Sequence, residues 1–255
     1  MATYLITGAT GGIGEAICRR LAPLHSLILV ARDQAKLDAL ALTLGGSHHA
    51  WATDMGQDGA IDAFTARMES EQVTLDGVVL MPPQPHADDN PMPTPDVWRH
   101  LFQVSFIGPL ALLKGAVARM NPDPAEGRRA KIVIISGISS AQVLSHYATA
   151  NVIRTAWVGE AKTLAFALGS RGIHVNTLSL GGTLSPWYRD KLEERAQKNG
   201  ISFQAQLTIE TDNVPLRKYG EPAEVAIVVE GLLSQFSDHM TGLNILHDGG
   251  FTRAY

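Results

Sequence analysis

Cysteine is almost absent: Cys18 is the single one in 255 residues. No internal disulfide can form, and a CxxC-type metal site is excluded. Placed in a predicted helix, Cys18 fits a buried small hydrophobe better than a reactive thiol. Charge of one sign is lacking as well. Lys and Arg number 21 against 25 Asp and Glu, a formal net charge of -4. The basic residues are scattered, whereas a nucleic-acid protein concentrates them on one surface. The nine His residues show no ligand spacing such as HExxH, so no metal is expected. Long apolar runs are also missing. The most apolar stretches, such as 108–113, break at Lys or Pro short of the roughly 18 residues a membrane span needs. The opening MATYLITGATGG has neither the basic nor the apolar region of a signal peptide. The expectation is a cytoplasmic protein with no nucleic-acid and no membrane partner.

What is present is an ordinary globular composition, 45% hydrophobic and 18% charged, which fits neither disorder nor a fibre. Short apolar runs at 4–7, 27–31, 49–53, 77–81, 131–136, 174–178 and 244–247 read as buried strands. Helical patterns lie between them at 13–22, 34–43, 60–71, 97–119, 147–169 and 223–236. Strand and helix alternating at this spacing imply βαβ crossovers and a parallel sheet covered on both faces. The predicted fold is α/β: a single-domain Rossmann fold over 1–255, with a doubly wound seven-stranded parallel sheet and helices on both faces.

Two segments depart from the alternation. The proline-rich run 82–95 (PPQPHADDNPMPTP) is a predicted loop, since proline breaks both helix and interior strand. It leaves the carboxyl end of the fourth strand, where open α/β sheets bind ligands. The second, about 183–215, holds Pro186, Trp187 and Tyr188 and then DKLEERAQK. A loop and short helix there would make a lid; a plain surface insertion is the alternative. Trp187 and Tyr188 either line a substrate pocket or pack against the domain.

The strongest local signal is Thr7-Gly8-Ala9-Thr10-Gly11-Gly12-Ile13-Gly14, directly after a strand and before a helix. Gly8 can take a tight turn, Gly12 admits close approach of a pyrophosphate, and Gly14 lets helix and strand pack closely. Phosphates then meet free N–H groups at the helix N-terminus. At the end of the second strand the acid of NAD-specific sites is replaced by Ala31, followed by Arg32. A guanidinium suits a ribose 2′-phosphate, so NADP is the expected cofactor, with NAD as the alternative. A surface salt bridge from Arg32 to Asp33 or Asp54 is the competing reading of that arginine.

TGATGGIG resembles the TGxxxGxG fingerprint of the short-chain dehydrogenase/reductase family. Further similarities follow in order: Arg32 and Lys36 in ARDQAKL, Asp54 after the third strand, Thr241-Gly242, and Asp248-Gly249-Gly250. The resemblance covers essentially the whole chain. It implies that Gly8, Thr10, Gly12, Ile13, Gly14 and Arg32 hold the dinucleotide, with Asp54 and Met55 flanking the adenine. Gly181, Thr183, Tyr147 and Asn151 fall in the nicotinamide half. It also implies a homodimer or homotetramer built through the helices at 97–119 and 147–169.

The family works with Asn, Ser, Tyr and Lys, and here only the Tyr has a match. Tyr147-Ala148-Thr149-Ala150-Asn151 falls where YxxxK is expected, with Asn151 in place of Lys. The i,i+4 spacing predicts Asn151 on the Tyr147 face. Arg154, seven residues on, is about 10 Å further along the axis. Ile135-Ser136-Gly137-Ile138-Ser139-Ser140 puts Gly137 at the serine position, leaving Ser136, Ser139 or Ser140 to reach the site. Ser105 stands at the Asn position, and Leu80-Met81-Pro82-Pro83 replaces the family's NNAG. Tyr147, Asn151 and Ser139 are the candidate catalytic residues. His146, next to Tyr147, points about 100° away on a helix.

Two classes of function remain. One is an NAD(P)-dependent oxidoreductase acting on a carbonyl or hydroxyl of a small molecule, with a non-standard proton relay. The alternative is a catalytically silent nucleotide-binding protein, or the inactive subunit of a hetero-oligomer with an active relative. Non-redox lyase or hydrolytic chemistry ranks last, because the glycine fingerprint is retained.

Overall fold

The computed structural model describes residues 1–85 and 88–254; His86 and Ala87, within the proline-rich run, lie outside the described residues. Seven parallel strands form one sheet in the order β3-β2-β1-β4-β5-β6-β7. They are β1 Thr3–Thr7, β2 Ser26–Ala31, β3 His49–Ala52, β4 Gly77–Leu80, β5 Ala130–Gly137, β6 Ile173–Leu180 and β7 Asn244–His247. The helices are α1 Gly12–Leu21, α2 Gln34–Leu44, α3 Asp58–Ser70, α4 Pro95–Phe102, α5 Gly108–Ala118, α6 Ala148–Leu168, α7 Pro186–Asn199, α8 Phe203–Glu210 and α9 Pro222–Leu233.

All seven expected strands are present; the central ones, β1, β2, β4, β5 and β6, are short apolar runs buried on both faces, while β3 and β7 at the sheet's edges are only partly buried. Alternate residues feed two cores. Leu5, Val78, Ile132 and Ile134 face α3, α5 and α6, where Phe64, Leu112 and Trp157 meet them. Ile6, Val79, Val133 and Ile135 face α1, α2 and α9, where Ile17, Leu37 and Val229 pack. Cys18 is buried in the second core, and burial pushes its thiol up to about 12.

Three elements differ from the sequence reading. The helix expected over 97–119 is two helices joined by a π-turn, Gln103–Ile107. Such a turn inserts a residue into the helical ladder without breaking the run of helical residues. By length and composition the whole run Pro95–Ala118 would suffice to cross a membrane, but Leu112, Leu113 and Ala116 sit in the first core. The predicted lid holds two helices, α7 and α8, each capped by a serine: Ser185 accepts from the Tyr188 N–H, Ser202 from the Ala205 N–H. Tyr188 points into this pair, 3.2 Å from Glu210 Oε2 and edge-on to Tyr219 at 5.5 Å. It is lid core, whereas Trp187 is 65% exposed.

A polar cluster under the sheet gives stability a pH dependence. Lys131 is buried within β5, and its Nζ donates to Asp238 Oδ1 at 2.6 Å and lies 3.3 Å from His174 Nδ1. The Lys131 hydrogen bond holds the Asp238 carboxyl below its usual range. Burial, then the Lys131 charge, lowers His174. Both folded values lie below the unfolded ones, so the stability they confer is present at high pH and declines on acidification. The loss begins as pH falls below the ordinary histidine value of 6.5 and deepens below the ordinary aspartate value of 3.8. Urea midpoints should fall between about pH 8 and about pH 5, with a shallower fall in His174→Gln. It should not vanish, since burial lowers His25 and His48 in the same direction. An equal slope in His174→Gln would contradict this assignment.

Candidate functional site: a glycine cradle and an arginine at the sheet's carboxyl edge

The strand–turn–helix at the start of the chain builds a cradle. Gly8 takes φ +61, the left-handed region that costs glycine little. A Cβ on Gly14 would stand 2.1 Å from the Gly8 carbonyl oxygen, so the first turn of α1 is drawn onto the end of β1. The N-cap of α1 is Gly11, with no side-chain cap. Its first N–H groups therefore have no intrahelical acceptor and no side-chain one. A Cβ on Gly12 would meet Pro186 Cδ at 2.3 Å and Ser185 Cβ at 3.3 Å, so the N-terminus of α7 sits against that of α1. Ser185 is absent from the sequence-derived set; its signal is the Ser-Pro pair that caps and opens α7.

The edge beside β2 and β3 is basic and open. Arg32 is exposed and makes no ion pair among the described residues. Asp33, its expected rival partner, instead caps α2 by accepting from the Lys36 N–H. Asp54 accepts from the Gly56 N–H. Met55 is buried, and a Cβ on Gly108 would stand 1.7 Å from its carbonyl oxygen. These residues fit an adenosine carrying a 2′-phosphate: a free guanidinium beside an apolar wall, with both carboxylates occupied by main-chain N–H groups.

The other half is rebuilt around Arg154. Its guanidinium fills the space a side chain at Gly137 would need, with Cζ only 2.6 Å from where a Cβ would stand. Nε donates to Gln84 Oε1 at 2.9 Å and Nη1 to Ser139 Oγ at 3.1 Å. Cζ lies 5.0 Å from the Tyr147 ring centroid. Burial pushes the guanidinium below its usual range, with Tyr147 opposing. Tyr147 is the N-cap of α6, with φ -131 and ψ 41, so it lies outside the helix and the i,i+4 argument fails. Asn151 accordingly turns to the loop: its Oδ1 accepts from the Leu144 N–H and its Nδ2 donates to the Leu144 carbonyl. Arg154, expected far along the axis, is the residue that reaches Tyr147. Counted four back from Arg154, the tyrosine place of YxxxK falls on Ala150, which is fully buried.

Around this pair, the proline-rich loop is stitched down. The Asp88 N–H donates to the His146 carbonyl, and the Ala148 N–H to the Asp88 carbonyl. His146 is exposed, its ring 4.5 Å from that of Tyr147. Ser105 lies in the π-turn, its carbonyl accepting from Trp157 Nε1 at 2.8 Å. Ser140 bonds Ser179 and Asn244, and Ser136 Oγ is buried without a partner among the described residues. After β6, the Gly181 N–H donates to the His247 carbonyl, and Thr183 Oγ1 donates to the Gly181 carbonyl. Among the described residues no cluster of His, Cys, Asp or Glu could hold a metal.

A parallel sheet in this order, with a glycine cradle at the start of α1, defines a dinucleotide-binding Rossmann protein. The family model described as "Enoyl-(Acyl carrier protein) reductase" matches residues 8–252. The chain belongs to the short-chain dehydrogenase/reductase family. It is 29% identical to 2,3-dihydro-2,3-dihydroxybenzoate dehydrogenase of Bacillus subtilis, over 97% of this chain and 94% of the relative. It is 28% identical to dehydrogenase/reductase SDR family member 4 of Homo sapiens, over 96% and 86%. The L-sorbose reductase of Gluconobacter frateurii, solved with NADPH and L-sorbose, superposes with a TM-score of 0.90 at 24% identity, covering 100% and 97% of the two chains.

Proposed function

We propose that this protein is an NADP(H)-dependent oxidoreductase acting on a carbonyl or hydroxyl of a small molecule through a non-standard proton relay. The observation that carries the reading is the contact of Gly14 with the Gly8 carbonyl, which sets the uncapped N-terminus of α1 where a diphosphate binds. When bound, the dinucleotide supplies or accepts the hydride; this chain's residues hold, orient and protonate. The N–H groups of Gly12, Ile13 and Gly14, with Thr10 and Gly8 shaping the turn, hold the phosphates. Arg32 takes the 2′-phosphate, and Asp54 and Met55 flank the adenine. Gly181 and Thr183 form the turn on the nicotinamide side. Ser139 spends a lone pair on Arg154 Nη1, which leaves its O–H to donate to a substrate oxygen. Tyr147, under the Arg154 cation, is the second proton donor, and Asn151 positions it by pinning the loop at Leu144.

The relatives named above support this reading through what their names say of them: two dehydrogenases and a reductase solved with NADPH. Exposed Ile107, Val152 and Phe166 on the α5–α6 side support a homodimer or homotetramer. One observation favours the silent alternative: the Tyr147 hydroxyl has no hydrogen-bond partner among the described residues. NADPH consumption against a panel of small ketones and aldehydes separates the two. Turnover that drops at least about 100-fold in Tyr147→Phe and in Ser139→Ala is expected, the lower end for loss of a proton-transfer group. Tight NADPH binding with no turnover on any carbonyl would select the silent reading.

A further inference from the structure

Arginines elsewhere in the chain are mostly answered by acids: Arg19 by Glu15, Arg20 by Glu230, Arg67 by Glu71, Arg189 by Glu221, Arg195 by Glu210. Arg154 is different. It is half-buried, and every group holding it among the described residues is neutral: the Gln84 amide, the Ser139 hydroxyl and the Tyr147 ring. No Asp or Glu among the described residues pairs with it. A cation partly withdrawn from water and held only by neutral partners is stabilised by an anion that completes it. The contacts also fix its orientation. Nε and one Nη1 hydrogen are committed, so one Nη1 hydrogen and both on Nη2 are left. Nη2 has no acceptor among the described residues and is not one of the enclosed unpartnered atoms. That free end matches the two oxygens of a carboxylate, which guanidinium binds in a fork.

We infer that Arg154 is the specificity-determining residue of this site and that it selects a substrate carrying a carboxylate. The inference deepens the oxidoreductase reading and rests on it for the site's being a substrate site. The dinucleotide cannot supply the anion, because its phosphates belong at the α1 cradle and beside Arg32, and its nicotinamide ring carries no negative charge in either redox state. Gly137 is the other half of the device, because any side chain there would displace the guanidinium.

The test is a calorimetric titration of the full chain, apo and saturated with NADPH, with oxamate, benzoate and octanoate, each against its primary amide. Inorganic phosphate is a separate arm. At least one carboxylate is expected to bind about 10–100-fold tighter than its amide, the ratio for charge-assisted hydrogen bonds. Arg154→Gln should erase that ratio, and Gly137→Ala, which keeps the charge but moves it, should reduce it. Melting curves on each variant establish that it is folded. The inference is overturned if no carboxylate outbinds its amide, if the ratio survives in Arg154→Gln, or if phosphate binds tighter than every carboxylate. NADPH titrations on the same samples report on the dinucleotide reading separately: carboxylate selectivity without NADPH binding sinks that reading and leaves Arg154 as an anion site.

Discussion

Gly14→Ala is expected to cost about 2–3 kcal/mol of stability, the upper range for forcing an atom into a packed interior. For a chain of this size that is a drop of about 4–12 °C in Tm. The atoms in the way are backbone: the new Cβ would lie 2.1 Å from the Gly8 oxygen, 2.8 Å from its carbon and 3.0 Å from Ala9 Cα. No rotamer relieves that contact, so α1 must swing off the end of β1. The same movement withdraws the N–H groups that face the diphosphate. Losing two such charge-assisted bonds, each about 1.5–3 kcal/mol, weakens NADPH binding by about 100-fold or more. Gly59→Ala is the control, since nothing lies within 4 Å of its added carbon. Thermal melts and NADPH titrations on the two variants check this. An unchanged NADPH affinity in Gly14→Ala would mean the cradle is not where the dinucleotide sits.

Gly137→Ser introduces the residue type that the resemblance to the family leads one to expect at this position, yet it is expected to impair the protein. The new Cβ would meet Cζ, Nη1 and Nε of Arg154 at 2.6–2.9 Å. Those atoms end a flexible side chain, so the guanidinium moves and loses its bonds to Gln84 and Ser139. The expected cost is about 1–3 kcal/mol, given that bonds to a charged group are worth about 1.5–3 each and water replaces part of them. Turnover, where present, should fall with it. Adding Arg154→Lys to Gly137→Ser should recover stability, because a point ammonium on a thinner stem leaves room for the serine. The double-mutant cycle should then show favourable coupling of at least about 1 kcal/mol. Additive effects would mean that Gly137 and Arg154 are independent, and the matched-pair account would fall.

The sheet was legible in the sequence because each strand is a short apolar run flanked by turn residues. The cradle was legible because its glycines stand between strand and helix. Less visible was anything that depends on where a helix begins. Tyr147 and Asn151 looked like partners on one face, but the helix starts after Tyr147, and a residue outside the helix does not follow its progression of about 100° per residue. Arg154 was discounted for its distance along the axis; its long side chain reaches back over the space Gly137 leaves empty. The π-turn Gln103–Ile107 was hidden by the uniform apolar pattern around it. The second lid helix had a visible start signal in Ser202, which caps it.

The most direct test of the account is a calorimetric titration of the purified chain with NADPH and with NADH. The account predicts micromolar NADPH binding, about 10–100-fold tighter than NADH, the ratio a guanidinium–phosphate contact supplies. In Arg32→Ala the two dinucleotides should converge. Binding of neither to the wild-type chain would contradict the account at its centre: the glycine cradle would then be scaffold, and neither hydride transfer nor nucleotide sensing could be assigned to it.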